Sequence, residues 1–139
     1  MTLEKTLCII TPDALEQRKQ SAIVQHLLDA GFKILAMEQL QLNQRQAEGF
    51  YAVHRERPFF KELVAFMTRG PVVVLALARE NAVSQLRTTI GATDPAKAAE
   101  GTVRKLYGKN VGENAVHGSD SVENGAIECG YFFQGMNLV

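Results

Sequence analysis

The sequence predicts an α+β fold, a ferredoxin-like βαββαβ sandwich in which helices and an extra active-site loop accompany a four-stranded antiparallel sheet. Two observations lead to this prediction: strand-like apolar runs alternate with segments of helical periodicity, and the alternation continues along the whole chain. The third is size, because 139 residues, 46% of them hydrophobic, suffice for one packed domain and leave no room for a second. We therefore expect residues 1–139 to form a single domain.

The individual elements follow from local signals taken in chain order. A short apolar run stops at a Thr-Pro-Asp turn, and a later run dense in β-branched residues is the clearest strand. Helices are recognised by apolar residues at spacings of three and four, followed by glycine. The predicted strands cover 7–10, 33–42, 71–78 and 115–117, and the predicted helices cover 23–30, 43–54, 59–68, 81–90 and 121–132.

Composition excludes several classes of protein. The 15 basic and 15 acidic side chains cancel, whereas nucleic-acid-binding domains usually carry a basic excess. The longest apolar run, 72–78, is much shorter than the roughly 20 residues that cross a bilayer, and the N-terminus lacks the pattern of a secretory signal. Cys8 and Cys129 are expected to be buried and reduced. These features predict a soluble cytoplasmic protein without a membrane or nucleic-acid partner.

Two long, polar, glycine-rich loops, 91–101 and 107–121, are the predicted location of the chemistry. The second loop contains His117 at a predicted strand end. Gly118 follows and is expected to leave space for an incoming group. Neutral imidazole, about three-quarters of the population at pH 7, is a nucleophile when a hydrogen bond fixes its tautomer.

Three charged residues make phosphoryl transfer a candidate reaction. Glu128 lies eleven positions after His117 on the last predicted helix, from which its carboxylate can orient the ring. Arg87 and Arg104 carry fork-shaped donors that suit phosphate oxygens. Arginines in such positions are ordinarily surface charges, so on residue types alone phosphoryl transfer is a hypothesis.

Five sequence blocks resemble the nucleoside diphosphate kinase family, in the family's order and at its spacing. The blocks are Arg57-Pro-Phe-Phe60, Gly70-Pro-Val-Val-Val74, Gly91-Ala-Thr-Asp-Pro95, Gly101-Thr-Val-Arg104 and Asn114-Ala-Val-His117-Gly-Ser-Asp-Ser121. That family has the same ferredoxin-like fold. The resemblance implies a ping-pong transfer of the γ-phosphoryl group from a nucleoside triphosphate such as ATP to a nucleoside diphosphate, through a phosphohistidine at His117.

The resemblance also implies a role for each candidate site residue. His117 would be the nucleophile, with Ser119 and Glu128 supporting its ring and Tyr51 near the transferred group. The expected nucleotide ligands are Phe59 and Val111 at the base, Thr93 and Asn114 at the sugar hydroxyls and phosphates, and Arg87 and Arg104 at the phosphates. Stacking on an aromatic ring tolerates purines and pyrimidines alike. Mg²⁺ would arrive with the nucleotide and need no direct protein ligand.

One position departs from the family. Its first strand normally ends in Lys-Pro-Asp, with the lysine at the γ-phosphate, and here the triplet is Thr11-Pro12-Asp13. Because phosphoryl transfer is catalysed mainly by positioning and charge stabilisation, the loss of this cation is expected to cost on the order of 10²–10³ in rate. Thr11 is either a weak phosphate contact or an inert replacement, and Arg18 and Lys19 are candidate substitutes for the lysine.

Three functions are therefore open. The first is a nucleoside diphosphate kinase impaired by Thr11. The second is a nucleotide-binding regulatory module of the same fold with little or no turnover, and the third is a structural interaction domain. The resemblance further implies a homo-oligomer, a tetramer or a hexamer built from dimers.

Overall fold

In the computed structural model, which describes residues 3–133, four strands form one antiparallel sheet in the order β2-β3-β1-β4. The strands are β1 (Leu3–Ile10), β2 (Lys33–Leu40), β3 (Val72–Glu80) and β4 (Val116–Gly118). β3 pairs with both β1 and β2, and β1 also pairs with β4. The predicted α+β class with a four-stranded antiparallel sheet is confirmed.

Helices connect the strands throughout the described part of the chain. They are α1 (Pro12–Glu16), α2 (Gln20–Asp29), α3 (Gln44–Phe50), α4 (Phe60–Met67), α5 (Ala82–Ile90), α6 (Val103–Tyr107) and α7 (Val122–Phe132), with 3-10 helices at Ala52–His54 and Pro95–Lys97. Asn43 caps α3 through reciprocal bonds with Gln46, and Ser121 accepts a backbone N–H at the start of α7. None of the helices found between residues 3 and 133 is long and apolar enough to span a membrane.

The sheet is covered by helices on both faces, because successive strand residues point to opposite sides. Along β1, Cys8 and Ile10 pack with α2, α5 and α6, whereas Leu7 and Ile9 pack with α3, α4 and α7. β3 is buried on both sides in the same alternating way, which explains why its sequence is almost continuously apolar. The core therefore consists of two layers separated by the sheet.

The two cysteines lie in different layers of this core. Cys8 belongs to the layer under α2 and α5, and Cys129 belongs to the layer under α3 and α4. Both are buried free thiols, as predicted. Burial raises the pKa of Cys8 to about 12 and that of Cys129 to about 11, so both thiols stay protonated at neutral pH.

The structure differs from the predicted elements at several ends and in two short helices. β1 begins four residues earlier than predicted, because its first half also pairs with β3. The single helix predicted over 43–54 is two elements, since α3 ends at Phe50 and a 3-10 helix follows. α1 and α6 lie where no helix is predicted. Each has five residues, too few to show a helical period.

Candidate active site

His117 is presented by β4, the short edge strand that pairs with β1. Its neighbours Val116 and Gly118 face the α5 side of the sheet, so its own ring faces the opposite side. There Phe50 and Tyr51 approach the imidazole edge-on, with ring centroids 5.5 and 6.0 Å away. The His117 side chain nevertheless keeps 27% of its surface exposed. A ring that is held by packing and still reaches solvent is suited to reaction with a bound ligand.

Gly118 also has a packing role. A Cβ at this position would lie 2.9 Å from Ile90 Cδ1 and 3.1 Å from Leu86 Cδ2, both on α5. The absent side chain makes room for α5, and Gly118 also lines the cavity described below, so the space it leaves for an incoming group stays a prediction. The close packing brings β4 against the helix that carries Arg87.

Glu128 on α7 joins His117 to Ser119. Glu128 Oε1 accepts the Ser119 hydroxyl at 2.7 Å and lies 3.3 Å from His117 Nε2. Ser119 is buried, and its Oγ in turn accepts the backbone N–H of Leu7 at 3.1 Å. Because an ionised carboxylate only accepts hydrogen bonds, this arrangement assigns the ring proton to Nε2 and leaves the lone pair on Nδ1.

A row of aromatic rings extends from His117 to Phe59. The Tyr51 ring lies 6.5 Å from His54, and His54 lies 5.4 Å from Phe59, measured between centroids. Burial, together with the charge of Glu128, raises the pKa of Tyr51 well above its ordinary value, so the phenol stays neutral. His54 is not among the site residues predicted from the sequence, yet the structure places its ring between those of Tyr51 and Phe59.

A cavity of about 510 Å³ lies between α5, the segment that follows it, α6 and the residues after His117. Ser119, which donates to Glu128, lines this cavity, whereas His117 is not among its lining residues. The polar lining of the cavity comprises Arg87, Thr88, Thr93, Thr102, Arg104, Ser119 and Asp120. Two guanidinium groups against one carboxylate favour an anionic ligand. The structure thus brings four predicted site residues, Arg87, Thr93, Arg104 and Ser119, to one cavity.

Arg104 is anchored by two backbone carbonyls. Its Nη1 donates to Gly91 at 3.1 Å and its Nη2 donates to Val116 at 2.9 Å. Its Nε is buried and has no hydrogen-bond partner within the described residues. Burial lowers the pKa of Arg104, and the charge of Arg87 acts in the same direction. An anion in the cavity would offset both the burial of this charge and the repulsion between the two arginines.

The remaining predicted nucleotide ligands occupy different surroundings. Asn114 Nδ2 donates to the Thr93 carbonyl at 3.1 Å, which joins the two functional loops. Val111 is 56% exposed on the second of these loops. Thr11 is only 4% exposed, and its hydroxyl donates to Asp13. The one proton of the Thr11 hydroxyl is therefore used inside the protein.

Sequence reasoning did not find three features of the site. Phe50 packs against His117, and Asp13 accepts the backbone N–H of Ala115. Arg69 pairs with Glu16 at 2.6 Å and with Glu113 at 3.1 Å, which ties α1 to the loop before Asn114. These contacts join residues far apart in the chain, and a motif read along one sequence carries no signal of them.

The donor set also bears on metal binding. Residues 3–133 contain no group of three or more His, Cys, Asp or Glu arranged to hold a metal ion. The cavity offers guanidinium and hydroxyl groups with the single carboxylate of Asp120. Such a set suits phosphate oxygens better than a bare divalent cation, which prefers several oxygen ligands.

Sequence comparisons relate the chain to one family of enzymes. The sequence model of the nucleoside diphosphate kinase family matches residues 4–138. A nucleoside diphosphate kinase of Sorangium cellulosum (strain So ce56) is 59% identical over 138 residues, which cover 99% of this chain and 96% of that protein. One of Chlorobium chlorochromatii (strain CaD3) is 53% identical over 137 residues, which cover 99% of this chain and 98% of that protein.

Comparisons of structure agree. The crystal structure of the Aquifex aeolicus nucleoside diphosphate kinase is similar with a TM-score of 0.96 and 40% identity, over 99% of this chain and 100% of that one. The enzyme of Halobacterium salinarum, in complex with CDP, is similar with a TM-score of 0.92 and 33% identity, over 98% of this chain and 91% of that one.

The fold and these similarities define a nucleotide-dependent phosphotransferase. The chain belongs to the nucleoside diphosphate kinase family. The predicted family and enzyme class are thereby confirmed, and the alternative of a regulatory module with little turnover is not favoured.

Proposed function

We propose that the protein transfers the γ-phosphoryl group of a nucleoside triphosphate such as ATP to a nucleoside diphosphate, through a phosphohistidine at His117. The observation that carries the proposal is the series of contacts from His117 through Glu128 to Ser119, which lines the cavity that holds Arg87 and Arg104. The CDP bound to the Halobacterium salinarum relative supports a nucleotide as the ligand.

In the first half-reaction, Nδ1 of His117 attacks the γ-phosphorus. A nitrogen–phosphorus bond forms, the bond from the γ-phosphorus to the bridging oxygen breaks, and the nucleoside diphosphate leaves with that electron pair. Glu128 accepts a hydrogen bond from Nε2–H, which keeps its proton, and stabilises the positive charge that the ring acquires. Ser119 in turn holds the Glu128 carboxylate in place.

The second half-reaction reverses these bonds on a different nucleotide. A terminal phosphate oxygen of the incoming nucleoside diphosphate attacks phosphorus, the nitrogen–phosphorus bond breaks, and the pair returns to Nδ1 of His117. The imidazole is then in its starting tautomer. The balance of atoms and charge needs no further reactant, so one site serves both half-reactions.

The remaining site residues have proposed roles in binding. Arg87 and Arg104 line the cavity and would hold the phosphates. Sugar hydroxyls and phosphates would contact Asn114 and Thr93, which already lie within hydrogen-bond distance of each other. The base would stack on Phe59, with Val111 on the other side, and neutral Tyr51 would lie near the transferred group. Thr11 is not a proposed phosphate ligand, because its hydroxyl proton is bound to Asp13.

Mg²⁺ is proposed to enter as part of the nucleotide complex. The guanidinium and hydroxyl groups of the cavity fit phosphate oxygens, which leaves the ion to be coordinated by the phosphates and water, near Asp120. When bound, the ion neutralises part of the phosphate charge. Removal of Mg²⁺ by EDTA is expected to abolish transfer and restoration of the ion to recover it, measured with a constant nucleotide concentration.

Assembly and location are also proposed. β2 is an edge strand of the sheet, and its Met37 side chain is more than half exposed. An open edge supports a homo-oligomer of these single-domain subunits, a tetramer or a hexamer built from dimers. The two free cysteines support the proposed location in the reducing cytoplasm. Light scattering coupled to gel filtration measures the subunit number, and a monomer at micromolar concentration would contradict the proposal.

A labelling experiment tests the transfer reaction. The protein is incubated with Mg²⁺ and γ-labelled ATP, and the label on protein is expected to be acid-labile, base-stable and chased onto added GDP. His117→Ala is expected to lose both the label and the transfer. His26→Ala serves as a matched control, because His26 is a partly buried histidine on α2. Transfer that survives His117→Ala would contradict the proposed function.

A further inference from the structure

Ala115, two residues before His117, has an unusual backbone conformation. Its φ is 76°, in the left-handed region that residues with a Cβ rarely occupy. The N–H of Val116 donates to the carbonyl of Asn114 at 2.9 Å, which closes a three-residue turn around Ala115. A γ-turn with positive φ is the rare and strained form, so it persists only when surrounding contacts hold it.

Contacts from the end of β1 and the start of α1 hold this turn. The N–H of Ala115 donates to Asp13 Oδ2 at 3.0 Å, and its carbonyl accepts the N–H of Thr11 at 2.9 Å. The Thr11 hydroxyl donates to Asp13 Oδ1 at 2.5 Å. Both oxygens of the carboxylate and both backbone groups of Ala115 are thus engaged. We call Thr11, Asp13 and Ala115 the β4 clamp.

The β4 clamp is buried, so the loss of any of its hydrogen bonds would leave a polar group without water to replace the partner. Thr11 is 4% exposed and Asp13 is 2% exposed. Thr11 is the N-cap residue of α1, yet its hydroxyl caps no backbone group of that helix and serves Asp13 instead. Without this hydroxyl, one oxygen of a buried carboxylate would lose its donor, and such a group is costly to leave unpaired.

The β4 clamp lies where the chain enters the candidate active site. Asn114, on one side of Ala115, donates to the carbonyl of Thr93 on the cavity wall. Val116, on the other side, accepts from Arg104. His117 follows at once. The conformation of Ala115 therefore sets the direction in which the preceding loop enters β4, the strand that carries His117.

We propose that Thr11 is a positioning residue, which acts through Asp13 to hold Ala115 in its strained turn and thereby aligns His117 with the phosphoryl group. This inference rests on the proposed function. It gives Thr11 a role that is neither phosphate binding nor an inert replacement. Because misplacement of a reacting group acts on the chemical step, loss of the hydroxyl lowers kcat more than it raises KM.

Three variants test the role of the hydroxyl. Thr11→Val keeps the branched shape and removes the proton donor, whereas Thr11→Ser keeps the donor. Thr89→Val is the matched control, because the Thr89 hydroxyl donates only to a helix carbonyl on α5. The expected result is a fall of about tenfold or more in the single-turnover rate of phosphohistidine formation for Thr11→Val alone, with KM for the nucleotide within about threefold of wild type. A wild-type rate for Thr11→Val, or a matching rise in KM, would overturn the proposal.

Rescue at Ala115 separates positioning from general damage. Glycine adopts a φ of 76° without strain, so it holds the turn with less help from Asp13. Thr11→Val is therefore expected to lower the rate by a smaller factor in the Ala115→Gly background than in wild type. Equal factors in the two backgrounds would contradict a path through Ala115.

A measurement without nucleotide tests the role of Thr11 separately from the proposed function. Hydrogen exchange at the Ala115 amide is expected to be faster in Thr11→Val than in wild type and unchanged in Thr89→Val, because the Ala115 N–H donates to Asp13. Absence of phosphohistidine in the wild type would overturn the proposed function. An unchanged Ala115 exchange rate in Thr11→Val would overturn the β4 clamp by itself.

Discussion

The hydroxyl of Ser119 donates to Glu128 Oε1 over 2.7 Å. Through this bond the buried Ser119 fixes the orientation of the partly exposed Glu128 carboxylate. The same oxygen faces His117 Nε2. Since Ser119 is also bonded to the backbone of Leu7, the orientation of the histidine ring depends on β1 and on α7 at once. This relationship gives the first two predictions.

Glu128→Gln is expected to slow phosphohistidine formation by roughly 10²-fold, because a neutral amide does not stabilise the charged ring during attack. The measurement is a single-turnover rate with saturating nucleotide. Glu123→Gln is the control, since Glu123 is an exposed carboxylate in the first turn of the same helix. A Glu128→Gln rate equal to that of the control would rule out a role for the carboxylate.

Ser119→Ala is expected to lower the free energy of unfolding by about 1–3 kcal/mol, because the buried N–H of Leu7 loses its acceptor and Glu128 loses a donor. Urea denaturation without nucleotide measures the change. Ser84→Ala, which removes an exposed hydroxyl that donates to Asn81, should leave the stability within about 0.5 kcal/mol of wild type. Similar losses for the two variants would contradict this account of Ser119.

The two glycines in the middle and at the end of α7 are expected to respond oppositely to alanine. A Cβ at Gly125 would lie 2.8 Å from the carbonyl oxygen of Lys5, so Gly125→Ala should destabilise the protein by about 1–3 kcal/mol. A Cβ at Gly130 meets nothing within 4 Å, so Gly130→Ala should stabilise it by about 0.5–1 kcal/mol. Urea denaturation of both variants decides the matter, and a shift of the same sign would be contrary to the prediction.

The contact between Glu16 and Arg69 predicts a dependence of stability on pH. The hydrogen bonds from Arg69 hold the pKa of Glu16 below its ordinary value of 4.5. A carboxyl whose pKa is lowered on folding stabilises the protein above the unfolded pKa and ceases to do so as the pH falls through the folded pKa. The stability difference between wild type and Glu16→Gln should therefore be constant above about pH 5 and vanish in more acidic solution.

Salt provides the control for this pair, because both side chains are more than a third exposed. In about 1 M salt the difference between wild type and Glu16→Gln should shrink towards zero at every pH. A difference that grows as the pH falls would be incompatible with the pairing.

Thr11→Lys restores the triplet that the family resemblance leads one to expect. Lysine would supply the cation that the resemblance places at the γ-phosphate, so phosphoryl transfer is expected to rise by about tenfold or more. The measurement is the labelling rate with γ-labelled ATP, next to wild type. Equal and rapid labelling of both proteins would show that another cation already serves, and Arg18 and Lys19 would then be substituted in turn.

Local sequence signals predict most of the fold. β3 is predicted over 71–78 and observed at Val72–Glu80, because its β-branched and apolar residues suit a strand buried on both faces. The helix predicted over 121–132 is observed at Val122–Phe132, with Ser121 as its cap. The sequence does not predict α1 and α6. A helix of five residues is too short to repeat an apolar face and is stabilised by tertiary packing.

The candidate site is predictable in its residue types and less so in its contacts. His117, Glu128 and Ser119 are singled out by the sequence, and the structure brings them together. The contact between Asp13 and Ala115 joins residues 102 positions apart, and no local pattern signals it. This contact depends on the positive φ of Ala115, and the propensity of alanine predicts a helix or a strand at that position instead.

Cys8 and Cys129 lie on opposite faces of the sheet, so each can report local unfolding of its own core layer. Their side chains point into opposite layers, so an internal disulfide requires movement of the backbone, and an oxidised chain that contains one must have lost its native packing. Each thiol is also protonated and hidden, and alkylation must wait for an opening event. The alkylation rate of Cys8 therefore reports how often β1 becomes exposed, and the alkylation rate of Cys129 reports how often α7 separates from the sheet. Both rates can be measured in the same unlabelled protein.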